Sequence, residues 1–349
     1  MAFRVTTNGM YRAYKSTLIR TNNKLQRSME NVSTHRAFSS YAEDPSSASK
    51  AFQLRRNMWR TEDQISNSNY LIAKFETGYN AMAFIVDGTE EKPGLDGLVD
   101  ALSGITATAG QARNALGQSL VAKAESIALD MNVSYSEDFV FAGNDGLNAP
   151  FTWDGDRLLY RGVDVSASEE TDPEAYSKLQ AMNGEKSFVD IGLGMQEDSD
   201  GKLIESSAFN GSFSGLSFLN YGLDEDGDPK NLAVLMRELG KLFLNTGDNG
   251  EFPSKEAEQT ANRMVDKLKN AVNYAQEQHV RMSADASYLR TNLNQLTDTR
   301  YTLNEEIDSL EQQDPANAIM DMYWAQYCYQ ASLRIGNDLL SQSLFDFMS

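Results

Sequence analysis

The chain has 349 residues, enough for two or three domains, and its 41% hydrophobic and 23% charged residues are ordinary for a folded protein. Its net charge of −19 argues against nucleic acid as a partner, because phosphates would repel so acidic a chain. Cys328 is the only cysteine, which excludes an internal disulfide, and no stretch approaches the ~20 apolar residues of a membrane span. Residues 1–20 lack the charged-then-apolar pattern of a cleavable signal, so we expect any export to follow another route.

The first part of the chain predicts two long helices. Neither Gly nor Pro interrupts the chain between Gly9 and Pro45. The residues expected along one face of this helix, which we call its seam, recur at alternating intervals of four and three, the heptad spacing. After a connector at 33–41, Asp44 and Pro45 supply an N-cap and a first-turn proline for a second helix that ends near Asp87. The seam residues of the first helix are Tyr11, Lys15, Leu18, Asn22, Leu25, Met29 and Val32.

Residues 138–252 differ from the rest in composition, and we interpret them as an inserted β-rich domain. They hold fifteen of the chain's 24 glycines. Trp153–Arg157 joins two β-type runs and predicts a hairpin, and a short helix is expected at about Asn231–Leu244. The β-type runs are 139–141, 151–153, 158–160 and 163–165. The elements expected around this domain are a loop at Gly88–Gly94, helices at about Leu95–Ala109 and Gln111–Ser136, and a return segment at Gly247–Gly250.

The last quarter predicts the longest helix. Between Pro253 and Pro315 there is neither Gly nor Pro, and apolar or small side chains dominate a seam that recurs with a period of 3.5 residues. At about 1.5 Å per residue such a helix would be roughly 90 Å long, so it needs another long helix beside it. Asp314 and Pro315 repeat the cap-and-proline signal before a last amphipathic helix. The seam residues are Ala261, Val265, Leu268, Val272, Ala275, His279, Met282, Ala286, Leu289, Leu293, Leu296, Arg300, Leu303, Ile307 and Leu310.

These patterns predict a mainly α fold with an inserted β-rich domain, in which long antiparallel, coiled-coil helices from both termini form a rod. We expect an N-terminal assembly helix and connector at 1–44, a helical core from 45–137 with 254–314, the β-rich domain at 138–253 and a C-terminal assembly helix at 315–349. Because the seam of a heptad helix is exposed to water unless another helix packs on it, the terminal helices should bind neighbouring subunits. The residues predicted for this assembly interface are Tyr11, Leu18, Leu25, Met29, Val32, Ile319, Tyr323, Leu333, Leu340, Leu344 and Phe347.

No pattern in the sequence predicts catalysis, a cofactor or a metal site. Asp224–Asp228 places carboxylates at alternate positions, but Pro229 and Leu235 stand where an EF-hand needs Gly and a bidentate carboxylate, so an acidic surface loop is favoured. His35 and His279 are the only histidines and form no zinc signature with the single cysteine. HExxH, phosphate-binding glycine loops and nucleophile elbows do not occur. We therefore expect a non-enzymatic protein without a cofactor.

The N-terminal part resembles the flagellin-type axial proteins of the bacterial flagellum. Leu25–Thr34, followed by Glu43–Pro45, is similar to the family's N-terminal helix, turn and second helix start. His35 and Arg36 depart from the family, which usually has Gly and Lys at these two positions.

Two further segments resemble the hook–filament junction proteins of this family, the hook-associated protein 3 type. The first is Phe139–Gly143, with Pro150 and Phe151 beginning seven residues later. The second is the tail, Tyr329–Asn337 with Ser343–Phe347, whose closing residues are unlike those of most filament flagellins.

The resemblance implies a structural protein that forms nested helical layers, with both termini innermost and the β domain outside. It implies export through the flagellar type III channel with a dedicated export chaperone, and polymerisation outside the cell at the hook–filament junction. The implied partners are further copies of the chain, hook-associated protein 1 and flagellin; neither nucleic acid binding nor membrane insertion is expected. A filament flagellin, or a coiled-coil adhesin that binds ligands through the central β domain, remains an alternative.

Overall fold

The structure is a computed structural model that describes residues 7–88, 94–105, 111–246 and 251–348, with side chains at 9–88, 94–102, 112–246 and 251–338. The predicted loop at Gly88–Gly94 lies mostly outside the described residues, and the predicted return segment at Gly247–Gly250 lies wholly outside them. Helices contain most of the described residues, which confirms the predicted mainly α class with β structure in the middle. No helix of the described residues is both long and apolar enough to cross a membrane.

The secondary-structure elements follow the predicted order along the chain. The helices are α1 (Thr7–Thr34), α2 (Pro45–Val86), α3 (Leu95–Ile105), α4 (Gln111–Asp130), α5 (Pro173–Asn183), α6 (Leu216–Leu219), α7 (Leu232–Leu244), α8 (Lys255–Glu311) and α9 (Pro315–Met348). The strands are β1 (Ser134–Tyr135), β2 (Asp138–Phe139), β3 (Phe151–Asp154), β4 (Arg157–Tyr160), β5 (Val163–Asp164), β6 (Phe188–Val189) and β7 (Phe209–Asn210).

The middle of the chain is less purely β than the sequence predicts. The strands β3, β4 and β5 form an antiparallel sheet, and Gly155, with φ +62°, turns the predicted hairpin between β3 and β4. The helix predicted to Ser136 ends at Asp130, and the predicted last turns are instead replaced by β1 and by the turn between β1 and β2, where Ser136 and Glu137 adopt positive φ. The helix α5, which the sequence analysis missed, carries the same Asp-Pro signal as α2 and α9, with Asp172 Oδ1 accepting from Ala175 N at 3.0 Å.

The described chain divides into two compact units. The first unit combines Met1–Glu62 with Thr297–Ser349, and the second is Asp63–Leu296. One hydrophobic core in the second unit joins residues of α2, α4, α7 and α8 with residues of the β-containing segments. The four-part domain division made from the sequence stays a prediction.

The seam of α8 is buried in the second unit. Each of its apolar side chains from Ala261 to Leu289 is at most 5% exposed, and burial of this kind contributes about 1.5 to 3 kcal/mol for each large aliphatic residue. Arg300, the predicted seam position with a charged side chain, is exposed instead. The 3.5-residue period therefore identified the buried face of this helix correctly.

In the second unit α2 and α8 run antiparallel. Arg290 on α8 donates to Glu76 Oε1 at 2.6 Å, and the ring of His279 stacks on Tyr79 with centroids 4.4 Å apart. Gly78 permits this approach, because a Cβ there would lie 3.0 Å from Met282 Sδ. The predicted antiparallel pairing of long helices is confirmed, whereas a coiled-coil geometry stays a prediction.

His279 makes the stability of the second unit depend on pH. The side chain is 9% exposed. Burial lowers the pKa of His279 below its ordinary 6.5, although the charge of Asp87 and a hydrogen bond with the Tyr79 backbone oppose the shift. Because the folded chain then binds fewer protons than the unfolded chain, this stability is present above pH 6.5 and is lost as the pH falls through the lowered pKa.

We expect the free energy of unfolding to fall more between about pH 7 and about pH 5 in the wild-type chain than in His279→Met. Urea denaturation at both pH values measures this difference. His35→Gln is the control, since His35 is exposed and lies in the first unit. Burial raises the pKa of Asp285, which stabilises the fold at low pH, but that contribution is common to all three proteins. An equal pH dependence in wild type and His279→Met would contradict the assignment.

The helices α4 and α7 pack closely in the second unit because each presents a glycine to the other. A Cβ at Gly117 would lie 2.9 Å from the carbonyl oxygen of Gly240, and a Cβ at Gly240 would lie 2.8 Å from the carbonyl oxygen of Gly117. Both obstacles are backbone atoms, which cannot rotate away as a side chain can. The spacing between these helices therefore depends on the absence of a side chain at both positions.

Candidate assembly interface

The terminal helices α1 and α9 pack against each other in the first unit. Small residues form the buried face of α9: Ala318, Ala325 and Ser332, spaced seven residues apart, are at most 8% exposed, and Gly336 is also buried. A Cβ at Gly336 would overlap the Tyr14 ring of α1. Because small side chains make this contact, the two backbones come close together and the large side chains of α9 lie on its other faces.

The segment that follows α1 is hydrogen-bonded to the turn between α8 and α9. Ala37 N donates to the Glu311 carbonyl oxygen at 2.7 Å, and Gln313 N donates to the His35 carbonyl oxygen at 3.1 Å. His35 adopts a φ of +57°, the left-handed conformation that glycine favours after a helix. Because His35 carries a Cβ, this conformation costs some backbone strain that a glycine would avoid.

Both Asp-Pro signals begin helices as predicted. Asp44 Oδ1 accepts hydrogen bonds from Ser46 N and Ser47 N, both at 3.1 Å, at the start of α2. Asp314 Oδ1 accepts from Ala316 N at 2.8 Å at the start of α9. Side-chain caps of this kind contribute about 1 kcal/mol each.

The eleven residues predicted for the assembly interface fall into three groups. The exposed members are Tyr11, Met29, Ile319, Tyr323 and Leu333, at 42% to 62% exposure. The half-buried members are Leu18, Leu25 and Val32 of α1. The side chains of Leu340, Leu344 and Phe347 lie outside the described residues. The structure thus leaves large side chains of both terminal helices available to other molecules, and the part of these eleven residues in assembly stays a prediction.

An apolar stripe on α9 extends this surface, and only one of its members, Tyr323, was predicted from the sequence. The stripe consists of Met320, Tyr323, Trp324 and Tyr327, which line a shallow groove and are 56% to 66% exposed. The rings of Trp324 and Tyr327 pack edge to face with centroids 6.2 Å apart. Their spacing of three and four residues is the signal that could have identified the whole stripe from the sequence.

The acidic loop at 224–228 surrounds a lysine of α8. Three carboxylate oxygens, from Asp224, Asp226 and Asp228, lie 2.6, 2.7 and 2.6 Å from Lys267 Nζ. Arg263 Nε also donates to Asp228 Oδ2 at 2.7 Å. Burial lowers the pKa of Lys267, but its hydrogen bonds to the three carboxylates raise it by more. The ammonium group takes the position that a metal ion would need, so this cluster attaches the loop to α8.

The fold is similar to that of solved flagellar proteins. A Vibrio parahaemolyticus protein described as a flagellar hook-associated protein matches with a TM-score of 0.54 and 13% identity, over 77% of this chain and 100% of that chain. FlgL of Xanthomonas campestris matches with a TM-score of 0.49 and 12% identity, over 73% of this chain and 99% of that chain. FlgL of Bacillus cereus matches with a TM-score of 0.44, also at 12% identity and over 73% and 99%. No family model and no curated protein matches the chain. The chain therefore has the same fold as the Vibrio protein described as a flagellar hook-associated protein.

Proposed function

We propose that this chain is a structural, non-enzymatic subunit of the bacterial flagellum. In this proposal it forms the adaptor layer that joins the hook, through hook-associated protein 1, to the flagellin filament. Its partners are further copies of the chain, hook-associated protein 1, flagellin and, during type III export, a dedicated chaperone. It acts outside the cell, at the hook–filament junction.

The observation that carries the proposal is the apolar surface of the paired terminal helices. Trp324 and Tyr327 are 66% and 65% exposed on α9, and Tyr11 and Met29 are 55% and 54% exposed on α1. The α9 side chains belong to a contiguous apolar stripe, since Met320, Tyr323, Trp324 and Tyr327 line one groove, and contiguous exposed apolar surface marks an interaction site. Because small residues hold α1 to α9, the outward side chains can bind neighbouring molecules while the helix pair stays intact.

Two further observations support the flagellar assignment. The fold likeness to a protein described as a flagellar hook-associated protein supports a place in the flagellum. The segments Phe139–Gly143 and Ser343–Phe347, which resemble those of junction proteins, support the junction rather than the filament. Contacts that repeat from copy to copy without closing on themselves would build a helical layer.

Deletion of the gene in its own bacterium tests the proposal. We expect hooks without filaments, because flagellin subunits would have no layer on which to polymerise, and flagellin monomers released into the medium. Electron microscopy of the cells and analysis of the culture supernatant measure both outcomes, and restoring the wild-type gene is the control. Hooks with normal filaments would contradict the junction role. Loss of filaments with no other flagellin in the medium would identify the chain as the filament flagellin.

A further inference from the structure

An exposed stripe of aromatic and basic side chains runs along the first part of α2. Phe52, Arg56 and Trp59 recur at intervals of four and three residues, so they share one face of the helix. Phe52 is 62% exposed and Trp59 53%, and Arg56 is exposed without an ion pair among the described residues. Ala51 and Thr61, on the other side of α2, are buried. These three residues, the α2 stripe, therefore form a surface that the single chain leaves uncovered, and its residue types are those that dominate protein interfaces.

A stripe of opposite charge runs along the last part of α8. Asp298, Tyr301 and Glu305 recur at intervals of three and four residues on one face. Tyr301 is 66% exposed, and its hydroxyl donates a hydrogen bond to Glu305. Both carboxylates are exposed and form no ion pair within the part of the chain that the structure describes. Leu296 and Ile307, on the other side of α8, are buried, so these three residues, the α8 stripe, also face solvent.

The two stripes are complementary in charge and in spacing. The α2 stripe has a cation between two aromatic rings, and the α8 stripe has an aromatic ring between two anions. In an antiparallel alignment that sets Arg56 opposite Tyr301, the intervals of four and three coincide, so the outer members of the two stripes also come opposite one another. A guanidinium over an aromatic ring is attractive, and the carboxylates beside that ring attract the same cation. The outer aromatic rings of the α2 stripe are removed from water in the same contact.

One copy of the chain cannot bring its own stripes together. Both stripes lie in the first unit, where Arg55 Nε on α2 donates to Glu311 Oε1 on α8 at 2.9 Å. Each stripe lies on the side of its helix away from the buried residues, so the contact between α2 and α8 of one chain leaves both outside. A second copy can cover either stripe with its own opposite one.

We propose that the α2 stripe of one copy binds the α8 stripe of a second copy. This proposal deepens the self-assembly put forward above, on which it rests, and adds a contact that involves neither α1 nor α9. Because the two stripes differ, each bound copy still presents one free stripe of each kind to the next copies. Such a head-to-tail contact builds a ring or a helical layer.

Sedimentation velocity of the full-length chain at micromolar concentrations tests the contact. We expect the wild type to associate as its concentration rises. Trp59→Ser and Tyr301→Ser should each lower the association constant at least about tenfold, as for central interface residues. Their circular dichroism spectra and melting temperatures should stay those of the wild type, because both side chains are exposed in the monomer. Tyr41→Ser is the control, since it removes an equally exposed aromatic side chain, at 66%, outside both stripes.

A charge exchange tests the pairing of the two stripes. Arg56→Glu alone, and Asp298→Lys with Glu305→Lys in a second chain, should each prevent association, because like charges would then meet. A mixture of these two proteins should associate, because the reversed α2 stripe of the first complements the reversed α8 stripe of the second. Lys50→Glu is the matched control, since Lys50 is an exposed cation of α2 outside the stripe.

The proposal is overturned if the wild type stays monomeric, if the stripe variants associate as tightly as the wild type, or if the mixture fails to associate. Association that these variants leave unchanged would point to the apolar stripe of α9 instead. Failure of the junction role is a separate result, because it appears as normal filaments in the gene deletion and leaves the association of the purified chain unchanged.

Discussion

A chain in which Ile319, Tyr323 and Leu333 are all replaced by serine is expected to fold as a monomer but to fail to assemble. The three side chains are 42%, 62% and 43% exposed in the single chain, so their loss removes little buried area from the monomer. If copies bury them, each contributes about 2 kcal/mol at the interface. Loss of all three then lowers the association constant by more than about a thousandfold. Electron microscopy of flagella from a strain that carries the variant measures incorporation.

The control for this variant replaces exposed polar residues of the same helix. Gln326→Ser with Gln330→Ser changes the same element without removing apolar surface, and we expect normal flagella. Detection of the triple variant in the culture medium separates failed assembly from failed export. Leu25→Ser should differ from both, because Leu25 is half-buried and its loss should lower the stability of the monomer. Normal incorporation of the triple variant would refute the assembly role of these side chains.

Gly117→Val and Gly240→Val are each expected to destabilise the second unit by about 2 to 3 kcal/mol, the usual range for overpacking a tight core. A side chain at either position would overlap a carbonyl oxygen of the facing helix, so α4 and α7 would have to separate. Helix propensity alone predicts that these substitutions stabilise the unit, because valine is a better helix former than glycine. For a unit of this size the melting temperature should fall by about 5 to 10 °C, which calorimetry measures.

Ser119→Val is the matched control for the glycine variants. Ser119 is exposed on α4 two positions after Gly117, so the substitution introduces the same side chain into the same helix on a face that solvent covers. We expect its melting temperature to lie within about 2 °C of the wild type, as for most surface changes. If Gly117→Val melted at the temperature of Ser119→Val, the close approach of α4 and α7 would not be needed for stability.

The long helices were predictable because their signals are local. The Asp-Pro pairs that begin α2 and α9 act through hydrogen bonds within the first turn, and the structure contains these bonds. The seam of α8 was predicted from spacing alone, because residues that recur every 3.5 positions lie on one face of a helix. Local chemistry also explains the hairpin at Gly155, where the turn needs a positive φ.

The face of α9 that binds α1 was not predictable in the same way. Ile319, Tyr323 and Leu333 carry the largest apolar signal, yet α1 packs on the small residues Ala318 and Ser332 instead. Hydrophobicity identifies surface that must be covered, but it does not state which neighbour covers it. The close approach of the Tyr14 ring to Gly336 determines which face of α9 packs on α1 in the same chain. These two residues are more than 300 positions apart in the sequence.

Local sequence patterns are sufficient to predict the helical class, the order and the starts of the long helices, and the buried seam of α8. Each of these depends on residues within a few turns of one another, and such short-range interactions are readable from spacing. The contacts of Lys267 with the acidic loop and of Gly117 with Gly240 are visible only in the folded chain. These contacts join segments that are distant in sequence, and no local pattern encodes which distant backbone or charge will lie opposite.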